Sequence, residues 1–149
     1  MFKCCNKPKG KQTYNAPPIG SIPNDFTDFE LDVLELINYH RHDKGLQMLK
    51  FSFDLKGIAV AHCDYMIGDN KASHNNFQIR NAQAIIHLNA TWLGECVGYG
   101  YGTPAGVVNS WIGSKTHAAV LESKRGKHFA IAIKQNSKGR NYFTFLMIN

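Results

Sequence analysis

Residues 34–66 read LELINYHRHDKGLQMLKFSFDLKGIAVAHCDYM, two apolar-periodic runs around a glycine. In the first, Phe26, Phe29, Val33, Leu36, Ile37 and His40 recur at helical spacing and predict one buried stripe. Thr27 and Glu30 have the spacing of a capping box, in which each side chain bonds the other's free backbone N–H. Phe26 and Leu31 suit a hydrophobic staple across it, and Asp28, Glu30 and Asp32 sit where a helix N-terminus favours negative charge. Gly45 is the natural stop. The second run predicts a helix over Phe53–Ile67, capped by Ser52 and stopped by Gly68, with Leu55, Ile58, Ala59, His62 and Met66 as its stripe.

Working outward, a polar loop from Asp69 to Asn76 precedes a short helix expected over Phe77–His87. Trp92–Tyr101 reads as a strand or strand-like turn. Thr103-Pro104 is a cap followed by proline at the first helical position, so a further helix is expected over Pro104–Ile112, with Trp111 as a core anchor. Phe129–Lys134 and Tyr142–Ile148 are β-rich runs separated by a six-residue polar turn, which predicts an antiparallel hairpin. Helices first and paired strands last give an α+β class.

The 149-residue chain suits one domain with one core. Residues 1–24 carry every proline but Pro104 and no apolar period, and are expected to form a flexible basic arm ahead of a domain over 25–149. Deleting residues 1–20 should therefore leave the fold intact. No apolar stretch of secretory-signal length follows the N-terminal lysines, so export is not encoded in the residues given. No run approaches the roughly 20 apolar residues of a membrane-spanning helix.

The net charge of +6 is uneven: residues 1–15 hold four lysines and no acid, and residues 115–149 hold five Lys, two Arg and one Glu. Such basic segments suit an anionic surface as partner, or simply a solvated face. No nucleic-acid-binding motif accompanies them. The four cysteines form no CxxC, so a zinc site of that kind is unsupported. Cys4 and Cys5 are adjacent, Cys63 reads as a small buried residue, and a Cys63–Cys96 bond stays open at this level.

In order along the chain, Asn38, Arg41, Gly45, Leu46, Leu49, Asp54, Leu55, Ala59, His62 and Met66, then Ser73-His74, Arg80, Gly94-Glu95 and Trp111-x-x-Ser114-x-x-His117, form an ordered series. This series resembles the CAP superfamily, the cysteine-rich secretory or SCP-like domains, and within it the bacterial members. The resemblance covers about residues 28–149. It implies a three-layer α-β-α sandwich whose central sheet contains antiparallel strands. The chain departs from the family pattern at Cys96 (for Asn), at Lys115-Thr116 (for Pro-Gly) and at Ala118 (for Arg); Ser114 stands where eukaryotic members have a second cleft glutamate.

The resemblance also implies a cleft lined by His74, Glu95, His117 and His128. His74, His128 and Glu95 are its expected metal ligands, for Zn²⁺ or another divalent cation. The bland alternative is that His74 and Glu95 only hydrogen-bond and hold a loop to the sheet. His40 and His62 read as core-edge residues, and Asn38 and Arg41 as structural hydrogen-bonding groups. No G-x-S-x-G, H-E-x-x-H or phosphate-binding glycine motif is present. The glycine-rich Gly98–Gly102 reads as a pliable aromatic loop, a candidate cleft wall. Three functions compete. A non-enzymatic binding module for a partner, ligand or ion leads. A metal-assisted hydrolase with Glu95 as base and a structural protein tethered by its basic arm are the alternatives. Family members are usually extracellular.

Overall fold

The computed structural model describes residues 26–149, so the expected arm over residues 1–24, with Cys4 and Cys5, lies outside the described residues. The order is α1 (Asp28–Asp43), β1 (Lys50–Phe51), α2 (Phe53–Gly68), α3 (Phe77–Leu88), β2 (Leu93–Tyr99), α4 (Pro104–Gly113), α5 (Lys115–Leu121), β3 (His128–Gln135) and β4 (Asn141–Ile148). The sheet order is β1-β3-β4-β2. β1 runs parallel to β3, while β3–β4 and β2–β4 are antiparallel, as the hairpin turn predicts.

Helix boundaries follow local chemistry. Thr27 and Glu30 form both halves of the capping box, and Gly45 turns the chain out of α1 at φ +67°. Ser52 and Thr103 accept from the backbone N–H groups of Leu55 and Gly106 to start α2 and α4. Gly68 is not the stop expected of it. It is the last helical residue, and the reversal falls two residues later at Asn70, in the left-handed region at φ 53°. A side-chain amide tolerates that conformation.

The sheet separates two apolar layers. On one side, Phe129, Ile131, Phe143, Phe145 and Met147 meet Val33, Leu34 and Ile37 of α1, Val107, Val108 and Trp111 of α4, and Leu121 of α5. On the other, Ala130, Ala132, Leu146 and Ile148 meet Leu55, Ala59, Cys63 and Met66 of α2 and Ala84 of α3. The architecture is thus the three-layer α-β-α sandwich.

Polar ties join the layers. Asn38 donates to the Leu49 carbonyl and accepts from the Leu49 N–H, fixing the chain that enters β1. Arg41, 1% exposed, donates to the carbonyls of Gln47, Leu121 and Ser123, so α1 holds the end of α5. Glu30 accepts from the Ile133 N–H and pairs with Lys56. Cys63 and Cys96 are both buried free thiols on opposite faces of the sheet, which closes the question of a bond between them. Burial pushes the Cys63 thiol up to about 11 and raises Cys96 further.

Candidate functional site at the open edge of β2

β2 is an edge strand, bordered on one side only by β4. The two helical layers can therefore approach each other around its free edge. His74, in the loop between α2 and α3, comes from one layer. His117, in α5, comes from the other. Their rings lie 5.9 Å apart between centroids. Glu95, the third residue of β2, sits beneath them.

Glu95 has a side chain 1% exposed, and both its oxygens are occupied. His74 Nδ1 donates to Oε1 at 2.8 Å. Arg80 of α3 donates from Nε to Oε2 at 2.6 Å and from Nη2 to Oε1 at 2.8 Å. This is the two-pronged arginine–carboxylate geometry that makes a strong charge-assisted pair. Burial raises the Glu95 pKa, but the hydrogen bonds from His74 and Arg80 and the nearby Arg80 charge together outweigh it and hold the carboxyl below its ordinary range. Arg80 is itself buried and also donates to the carbonyls of Asn75 and His74, so it clamps the loop that carries His74.

His62 of α2 completes the clamp. It is buried, donates through Nε2 to the Ser73 carbonyl at 2.8 Å, and stacks on Tyr65. Burial lowers its pKa; the Ser73 carbonyl opposes this, and the Arg80 charge adds to the lowering. His117 is also lowered, first by burial and then by His74. His74 differs from both, because its side chain is 51% exposed. With Nδ1 bonded to Glu95, Nε2 of this half-exposed ring has no hydrogen-bond partner among the described residues.

Close approach explains the glycine before Glu95. A Cβ on Gly94 would stand 2.7 Å from the Trp92 indole and 2.8 Å from Val120. Trp92 and α5 can close over the start of β2 only because that side chain is missing. On the same side of the strand, Cys96 Sγ reaches the His117 carbonyl at 3.8 Å, so the residue replacing the family's asparagine helps seat α5.

The structure thus brings together His74, Glu95 and His117, and leaves out His128. His128 opens β3, in register with Lys50 on one side and with Ile148 on the other; Ile148 in turn pairs with Leu93. A whole strand separates His128 from β2, and Glu95 lies two residues further along. Among the described residues, no three His, Cys, Asp or Glu side chains stand close enough to hold a metal ion. The expected ligands His74, His128 and Glu95 are thus not gathered at one point: His128 lies a strand away, and both Glu95 oxygens bond Arg80.

The aromatic Gly98–Gly102 segment is also not a cleft wall. Gly98 and Tyr99 continue β2, while Tyr101 packs on Phe143 and shares a hydrogen bond with Ser110. Sequence reasoning noted Arg80 only as part of the ordered series, although it proves to be the chief partner of Glu95. A buried carboxylate demands such a partner, but no local spacing says which arginine provides it. It also missed α5, although Ser114 before a Lys-Thr-His-Ala-Ala-Val-Leu run carries a helix-start signal.

Comparisons with known proteins agree with this architecture. The model of the cysteine-rich secretory protein family, CAP, matches residues 34–147. No curated protein matches the sequence. An outer surface protein from Borrelia burgdorferi is similar in structure, with TM-score 0.73 at 17% identity over 83% of this chain and 96% of that one. A cysteine-rich secretory protein from Staphylococcus aureus follows with TM-score 0.68 and 20% identity over 85% of this chain. An extracellular protein containing an SCP domain from Bacillus anthracis gives TM-score 0.70 and 16% identity over 80% of this chain. In each of these last two proteins, this chain spans 40% of the length.

Proposed function

Because the chain belongs to the cysteine-rich secretory protein (CAP) family, we propose that it is a binding module that takes a small polar ligand at the open edge of β2 through His74 and His117. The observation that carries this reading is the engagement of both Glu95 oxygens by Arg80 and His74. A general base needs a free lone pair directed at water or substrate. Here the carboxylate is buried and both its oxygens are engaged by Arg80 and His74, which suits it to orienting the histidine. This favours a binding role over a hydrolytic one for Glu95, and the reading routes no step through a metal. The available groups are two imidazoles, His74 half-exposed and His117 partly buried, and each can hydrogen-bond a polar ligand. The outer-surface and extracellular relatives suit a protein that meets its ligand outside the cell.

Histidine side-chain NMR provides the test, with Zn²⁺ as a probe of accessible ring nitrogens. Added Zn²⁺ should perturb His74 and His117 together, weakly, and the response should disappear in His74→Ala. Perturbation centred on His128 would overturn the location. Cleavage of an ester or peptide panel that is lost in Glu95→Gln would replace the binding module with a hydrolase. No response at either ring would reduce the pair to a loop fastening.

A further inference from the structure

One end of the sheet collects positive charge that the cleft does not use. β1 and β3 begin there, β4 ends there, and β2 begins there. Lys50 opens β1 and donates its backbone N–H to the Lys127 carbonyl. Lys124 and Arg125 lie in the turn before β3, and Arg125 reaches across to the Thr91 carbonyl just ahead of β2 while covering the Trp92 ring. Lys50, Lys124, Arg125 and Lys127 are all exposed, and none has a carboxylate partner among the described residues. Of the acids near them in sequence, Glu122 is already held by His40 and Lys44, which leaves Asp43 and Asp54, seven residues before and four residues after Lys50, as the neighbouring negative charges. His128, absent from the cleft, belongs to this end.

Four strand ends side by side span about 15 Å, a row and not a pocket. Met48, 37% exposed, projects two residues before Lys50, and the partly buried Trp92 indole lies at the other end under Arg125. Cations in a row with apolar side chains among them suit the headgroup zone of a membrane, where basic groups meet anionic lipid and apolar groups enter the boundary below. We propose that this end of the sheet docks the protein on an anionic phospholipid bilayer, with Lys50, Lys124, Arg125 and Lys127 on the headgroups and Met48 among them. Docking is peripheral; none of the described helices is long and apolar enough to cross a membrane.

The test is co-sedimentation of the full chain with phosphatidylcholine vesicles, with and without phosphatidylglycerol. Binding should require the anionic lipid and weaken with salt. Lys124→Glu/Lys127→Glu should lower partitioning by at least about 25-fold, since each basic side chain near the surface contributes roughly fivefold. Lys138→Glu/Arg140→Glu makes the same charge change at the opposite end of the sheet, and should stay within about threefold of wild type because of screening. Melting temperatures of both variants check that they fold. Equal losses in the two variants would assign binding to net charge alone and overturn the proposal. No loss in either would assign it elsewhere, the lysines of residues 1–15 included. Salt-sensitive binding to soluble dextran sulfate without vesicle binding would replace the bilayer with an anionic polymer.

Discussion

The two faces of the sheet are built from the same strands, yet they do different work. Along β3, Phe129, Ile131 and Ile133 point toward α1 and α4, whereas Ala130 and Ala132 point toward α2. The first face is aromatic: Trp111 stands edge-on to Phe143 and tilted against Phe145, and Phe129 meets Phe145 edge-on. The second has small side chains where α2 crosses β3, Ala130 and Ala132, so α2 comes close enough for Cys63 Sγ to reach the Ala132 carbonyl at 3.3 Å and Thr144 Oγ1 at 3.2 Å. The buried polar groups around the site also gather on this side: His62, Arg80, Glu95 and Thr144. One face supplies most of the apolar volume, and the other carries the hydrogen-bonded apparatus that aims His74.

The contrast can be broken most sharply at Trp111, which is 1% exposed and donates its indole N–H to the Val97 carbonyl. Trp111→Ala should cost about 4 kcal/mol in denaturant melts. A loss below about 1 kcal/mol would show that the aromatic face does not carry the stability assigned to it.

On the other face, Arg80→Met should cost about 3 kcal/mol, because it leaves the buried Glu95 carboxylate without its main partner. The double variant Arg80→Met/Glu95→Leu should recover part of that loss, since no buried charge remains unpaired. Equal loss in single and double variants would mean that Arg80 acts through packing alone.

Acid sensitivity should belong to the site at the edge of β2, where His62 and Glu95 on the polar face meet His117 of α5. His62 and His117 have folded pKa values below 6.5, so the unfolded chain binds protons that the folded one does not. Their contribution is intact above about 6.5 and is lost as pH falls toward the folded values. Glu95 is depressed as well, so its contribution is present above the ordinary carboxylate range and goes as pH falls through its lower folded value. Urea melts across this range should show both steps. Trp111→Ala should leave the shape of that profile unchanged, while His62→Gln should flatten its upper step. An unchanged upper step in His62→Gln would remove His62 from the account.

The smallest effect is expected at Cys63, where Cys63→Ala should cost about 1 kcal/mol, as thermal melts would register. A cost like that of Trp111→Ala would erase the distinction between the faces.

Much of the fold was legible without coordinates, because helix caps and strand periods are local. Thr27, Ser52 and Thr103 each bond a backbone N–H within three residues, and the alternation in β3 and β4 follows from the pleat alone. The ordered series from Asn38 to His117 also pointed to the right family and paired His74 with Glu95. Elements with short or ambiguous signals were not legible: β1 has two residues and exists because β3 lies beside it, and α5 needs Gly94 and Cys96 beneath it.

What only the tertiary structure decided is which distant groups share a space. Histidine at position 128 matches a cleft position by resemblance, but strand order sets it a full strand away from β2 and among lysines. Arg80 carries no local mark of importance, yet the buried charge of Glu95 makes it indispensable. Local hydrogen bonds and side-chain periods are written within a few residues. The partner of a buried charge is chosen by strand order and layer packing, which depend on the whole chain at once.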